Sequence, residues 1–179
     1  MLDAEWSRVS LLITMAEALR TGAALDERFS VAFNETADAV ATGREDGVWS
    51  PLKSLVAEEL LRQFVQLDLD ILAIILAAEA RPSLAPRIQS LQPQIGSPQP
   101  SLALLQEFLM LDDGNEVATL YDRLEPSAPL ASSGLIRVAG HGAYQTVSAA
   151  PAVGRLLLGR ATDLSPPRGA SRDRKGELG

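Results

Sequence analysis

Three carboxylate groupings and a single histidine are the residues of this chain whose types and spacing could do chemistry. Glu58-Glu59 and Asp68/Asp70 are pairs that could divide acid and base work if a cleft pushed their pKa values apart. Asp112-Asp113-Gly114-Asn115-Glu116 has the look of a calcium loop, but the EF-hand spacing fails: the glycine comes too early and the distal glutamate is missing. A turn followed by a helix cap accounts for those residues. His141 stands between Gly140 and Gly142, and a catalytic histidine would need a nucleophile and an orienting acid. No G-x-S-x-G nucleophile elbow occurs, so His141 reads as a surface turn residue. No segment has the P-loop form G-x-x-x-x-G-K-[ST]; the nearest approach, Lys175-Gly176, lacks both the glycine spacing and a strand to launch it.

Composition removes further classes. The chain has no cysteine, which excludes disulfides, iron–sulfur clusters and thiolate zinc sites, and one histidine cannot complete a typical zinc site. Sites for catalysis, cofactors and metals are therefore all expected to be absent. The N-terminus, Met-Leu-Asp-Ala-Glu-Trp, is not a signal peptide, and the longest apolar run, Ile71 to Ala78, is far short of a membrane span. A cytoplasmic location is expected. At 179 residues and 46% hydrophobic residues, the chain can bury a sizeable core.

The charge is uneven. Residues 1–154 hold ten Lys/Arg against twenty Asp/Glu, a balance of −10; residues 155–179 hold six against three, a balance of +3. An acidic body repels a polyanion, whereas phosphate neutralisation usually dominates DNA binding, so nucleic acid is a disfavoured partner.

Periodicity supplies the elements that must position these residues. Leu2, Trp6, Val9, Ile13 and Ala16 form one stripe on a first helix that Thr21-Gly22 ends; it packs on its own domain or forms a coiled-coil contact with another subunit. Phe29 to Phe33 reads as a short extended piece before a helix capped by Asn34, with a continuous helix through Phe29, Phe33, Ala37 and Val40 as the competing reading. GREDG, residues 43–47, reads as a loop. Ser50-Pro51 starts a helix buried along Leu52, Val56, Leu60 and Phe64. Asp68 caps the next helix, Leu69 to Ala78, which is apolar on nearly every side and belongs at the centre. Short helices follow at Ala85 to Leu91 and Ser101 to Leu111, and Asp113 with Glu116 has capping-box spacing for another to Leu124.

Leu135 to Val138 and Ala143 to Val147 then read as a hairpin across Gly140-His141-Gly142, followed by a helix from Pro151. From Ala161 onward the Pro/Gly/Ser-rich, charged sequence cannot contribute to a core. The expected fold is mainly α: a helical domain with a small β-hairpin wing, winged-helix-like, and a disordered C-terminal tail. Its expected divisions are an N-terminal helical extension over 1–47, a winged-helix-like domain over 48–160, and a flexible linker over 161–179. Ser101 to Leu111, read as the recognition helix, has no Lys or Arg and carries Glu107, so it suits packing better than base reading.

Several segments resemble a known family. Leu67 to Leu109 resembles the helical core of the N-terminal winged-helix region that precedes the motor in certain bacterial and archaeal AAA+ ATPases, a group that includes ATPases encoded with contractile injection systems. Pro129 to Val138 and Pro151 to Gly159 are similar to that region's wing and exit helix, and Phe29 to Ala41 to an element ahead of the core. The resemblance spans residues 29–160. It implies a non-catalytic regulatory or adaptor domain that recognises a protein partner for an attached or separate AAA+ motor. ATP, magnesium and any homo-oligomerisation would belong to a motor that these residues do not contain. The motor's phosphate and magnesium motifs have no matching positions, so no nucleotide-contacting residue carries over. The candidate interface residues are Leu2, Trp6, Val9 and Ile13 on the stripe and Gly140, His141, Gly142 and Tyr144 on the hairpin. A winged-helix DNA-binding transcription regulator is the alternative.

Overall fold

The structure is a computed structural model that describes residues 1–159. The segment expected to form a linker, 161–179, lies outside the described residues.

The core is organised by a helix with no solvated face through its middle. Helix α4, Gln66–Ala80, buries every residue from Ile71 to Ala77. A segment apolar all round must be enclosed on all sides, and α4 is contacted by α1 (Asp3–Thr21), α5 (Leu84–Leu91), α7 (Gly114–Arg123), strand β2 (Thr146–Ala149) and α9 (Pro151–Leu158). Gly154 of α9 faces Glu79 of α4 closely: a Cβ there would fall 2.6 Å from a carboxylate oxygen, which would have to shift.

Helix α1 delivers the stripe seen in the sequence. Leu2, Trp6, Val9 and Ile13 are buried in the same cluster as Ile71, Leu76, Phe108 and Val153. The stripe is therefore an internal contact and offers no surface to another subunit. The apolar face of the N-terminal helix belongs to the same core that α4 organises. Helix α2, Glu27–Glu45, packs chiefly along α1 and buries only Val40. It is continuous from Asp26, whose carboxylate accepts the Phe29 N–H at 2.9 Å. The extended piece at Phe29 to Phe33 does not form, Asn34 is an exposed mid-helix residue, and the helix runs on through Gly43 and Arg44.

The expected helix from Ser50 is instead a 3-10 turn, Ser50–Ser54, an extended Ala57, and the single turn α3, Glu58–Leu61. Leu52 and Val56 are buried, but Leu60 and Phe64 are only half-buried because no continuous helix aligns them. Asp68 does not begin α4 as its N-cap; it sits three residues inside and reaches back to accept the Val65 N–H at 2.9 Å. After α6 (Leu102–Phe108) and α7 comes α8 (Pro129–Ser132), a single turn of helix too short to show as a periodic pattern. Strand β1, Ile136–Ala139, then pairs antiparallel with β2, Ile136 opposite Ala149 and Ala139 opposite Thr146.

Replacing the fully buried Leu72 with alanine should cost about 2–5 kcal/mol of stability, because a cavity forms where α4 is enclosed. Val31→Ala on the outer face of α2 should cost less than about 0.5 kcal/mol. Urea denaturation of the two variants checks the contrast.

Candidate functional site

The wing is fastened to the helices by backbone hydrogen bonds. The Val147 N–H donates to the Pro100 carbonyl and the Leu102 N–H to the Gln145 carbonyl, both at 2.9 Å, so residues 100–102 lie along β2 like a short third strand. Gln92, nearly fully buried, holds that segment in place. Its side-chain oxygen accepts the Ser101 N–H at 3.0 Å, and its amide donates to the carbonyls of Ser97 (3.0 Å) and Gln99 (2.5 Å). Ser101 then caps α6 by accepting the Leu104 N–H at 3.1 Å. A glutamine beside a proline-rich loop carries no sequence signal for this role.

Helices α6 and α7, joined by residues 109–113, are the consecutive helix pair ahead of the wing. In a helix-turn-helix the second helix is the reader, so the recognition position belongs to α7 and not to the segment from Ser101 to Leu111. Helix α6 buries Leu102, Leu104, Leu105 and Phe108. Helix α7 starts at Asp113, which accepts the Asn115 N–H at 2.9 Å, and it turns Leu120 inward. Its outward residues are Asn115, Glu116, Ala118, Thr119 and Asp122, flanked by exposed Asp112, Asp113 and Glu125.

The cation of α7, Arg123, turns inward. Its guanidinium holds the fully buried Asp68 through Nε at 3.0 Å and through a second, shorter bond from NH2, and it also donates to the Gln63 carbonyl at 3.1 Å. The hydrogen bond to Asp68 raises the arginine's pKa, so the guanidinium stays charged. The charged side chains that remain on the outward face of α7 and its flanks are all acidic.

A second charge cluster locks α1, α2 and α4 together. Buried Glu5 accepts from Arg44 Nε at 2.7 Å, from Arg44 NH2 at 3.0 Å and from the Trp49 indole N–H at 2.9 Å. Arg44 also donates to Asp70 at 2.8 Å and to Gln66 at 2.8 Å, and Arg8 reaches Asp70 at 2.6 Å. Burial works to lower the Arg44 pKa, but the Glu5 hydrogen bond and the charges of Asp70 and Glu5 outweigh it and raise the value, keeping the guanidinium charged.

Asp68 and Asp70, a pair whose types could divide acid and base work, serve separate arginine contacts. Glu58 pairs with Arg62 on the surface. Among the described residues no group of three His, Cys, Asp or Glu side chains could hold a metal ion. A recess of about 560 Å³ between the start of α1 and the ends of α4 and α9 has the side chains of Asp3, Glu79 and Arg81 as its charged lining and no histidine or serine. No helix among the described residues is long and apolar enough to cross a membrane.

Of the candidate interface residues, the structure brings Gly140, His141, Gly142 and Tyr144 together at the exposed wing tip. Gly140 and Gly142 both have positive φ, +88° and +66°, which lets the tip fold into a 3-10 turn at Gly142–Tyr144 against α6. The return strand consequently starts at Thr146, later than Ala143. Leu2, Trp6, Val9 and Ile13 lie in the core.

A helix pair followed by a two-stranded wing, with a third segment paired along it, defines a winged-helix domain. The family model described as winged helix domain, variant, matches residues 3–157, and the chain belongs to that family. No curated protein and no solved structure matches the chain.

Arg44→Met should destabilise the fold by about 3–5 kcal/mol, because it strands the Glu5 carboxylate in the core. The double variant Glu5→Gln/Arg44→Met should recover part of that loss. Thermal unfolding of the single and double variants measures both.

Proposed function

We propose that this winged helix is a non-catalytic protein-recognition module, the regulatory or adaptor domain of an AAA+ motor. The observation that carries the recognition part is the acidic outward face of α7. Asp112, Asp113, Glu116, Asp122 and Glu125 are exposed along the position that would enter a major groove, while Arg123 is turned inward onto Asp68. Duplex DNA binders neutralise phosphates with Lys and Arg, and base reading favours Arg, Lys, Asn or Gln. Asn115 and Thr119 could contact base edges, but no outward Lys or Arg of α7 accompanies them to neutralise phosphate.

Protein recognition suits this surface. The wing tip presents Tyr144, 60% exposed and of a residue type enriched in interface hot spots, on a turn fixed against α6. The motor assignment is supported by the resemblance of Leu67 to Leu109, Pro129 to Val138 and Pro151 to Gly159 to the winged-helix region ahead of AAA+ ATPases, and the ATP chemistry would belong to the motor.

Fluorescence anisotropy with labelled duplex DNA at low ionic strength tests the reading. The protein should show no salt-sensitive binding, while the triple variant Glu116→Lys/Thr119→Lys/Asp122→Lys should gain it on the same scaffold. Salt-sensitive binding of the unmodified chain would overturn the proposal in favour of a DNA-binding regulator. Purified residues 1–179 should also fail to turn over ATP in a phosphate-release assay, and turnover by this chain would contradict the non-catalytic assignment.

A further inference from the structure

The turn between α6 and α7 contains a strained residue in an apolar patch. Met110 has φ +53°, alone among the described non-glycine residues in having positive φ. Its N–H donates to the Glu107 carbonyl and the Leu111 N–H to the Gln106 carbonyl, both at 3.1 Å, which makes the turn a Schellman helix ending with Met110 in the left-handed position. That position favours glycine, because a Cβ is disfavoured there. Elsewhere this chain uses glycine: Gly22 ends α1 at φ +69°, and Gly159 ends α9 at φ +61°.

The methionine is not there to fill the core. Its side chain is 46% exposed, and with Leu19 (68% exposed) and half-buried Leu111 it lines a shallow recess of about 330 Å³. Gln106, Glu107 and Asp112 complete the rim. Arg20 is engaged by Glu107 and by the Leu91 carbonyl, so it does not offset Asp112, Asp113 and Glu116, which follow in the chain. Exposed apolar side chains, one of them in an unfavourable backbone conformation, beside carboxylates that no salt bridge neutralises form a contact surface of definite chemistry. Methionine suits such a surface because its unbranched, polarizable side chain adapts to a partner.

We infer that Leu19, Met110 and Leu111 receive an apolar anchor from a lysine- or arginine-flanked segment of a protein partner, whose cations face Asp112, Asp113 and Glu116. The inference rests on the protein-recognition reading and specifies where recognition occurs and the chemistry of the segment recognised.

The test uses two peptides of identical Leu/Lys composition, one an amphipathic helix and one scrambled to scatter its leucines, titrated into the full chain by calorimetry. The amphipathic peptide should bind more tightly than the scrambled one and weaken with salt. Met110→Gly should weaken that binding about tenfold or more, while leaving the melting temperature unchanged or higher because glycine relieves the left-handed strain. Leu19→Ser should weaken binding in the same way. No preference between the peptides, or binding undiminished in both variants, overturns the inference and leaves the protein-recognition reading standing. Salt-sensitive binding of labelled duplex DNA to the chain alone, with no peptide present, would overturn both. A dimer in sedimentation that Met110→Gly dissolves would assign the patch to a second copy of the chain and so overturn the inference too.

Discussion

Enclosure of α4 is the constraint on which the rest of the structure depends. Seven consecutive residues, Ile71 to Ala77, have no solvent-facing side, so neighbours must surround the helix. Helix α1 supplies one wall, β2 of the wing another, and α5, α7 and α9 the remainder. The wing is thereby part of the core: Val147 and Ile136 are buried while the tip beyond them stands in solvent. One packing requirement thus fixes both the fold and the direction in which its exposed turn points.

The same requirement disposes of much of the charge. Asp68 and Asp70 stand at the start of α4, where the chain enters the core, and each carboxylate needs a cation or a donor to be tolerated there. Arg123 answers Asp68; Arg8 and Arg44 answer Asp70, and Arg44 also answers Glu5. Removing these arginines from the surface leaves the carboxylates of α7 and its flanks to set the outer potential. An acidic recognition face is in this sense a consequence of how the interior is neutralised. On the proposed reading, such a face suits polypeptides better than a phosphate backbone.

The sequence showed the central helix, the stripe on α1, the hairpin and the mainly helical, winged character because each has a strong local signal: a continuous apolar run, a repeat of three and four, a Gly-His-Gly turn. It misplaced features that depend on distant partners. Phe29 to Phe33 has strand-like spacing, but Asp26 caps a helix through it and α1 provides the surface on which it lies. The stripe's dual reading could be resolved only by seeing α4 across from it. Glu5 lies on the buried face among apolar residues, a hint of a buried ion pair, yet no local pattern names Arg44 and Trp49 as its partners. Periodicity alone puts the recognition position on the segment from Ser101, one helix too early, since only the pairing of Pro100 to Leu102 with β2 shows where the helix pair begins. Strain at Met110 is a backbone property that its residue type does not disclose.

Site-resolved NMR during a titration with duplex DNA at low ionic strength tests the central claim most directly. If the surface of this winged helix selects proteins, the amides of Asn115 to Arg123 and Gly140 to Tyr144 will keep their chemical shifts throughout. Progressive shifts of both groups that reverse on adding salt would show α7 and the wing engaging a groove, and would contradict the account.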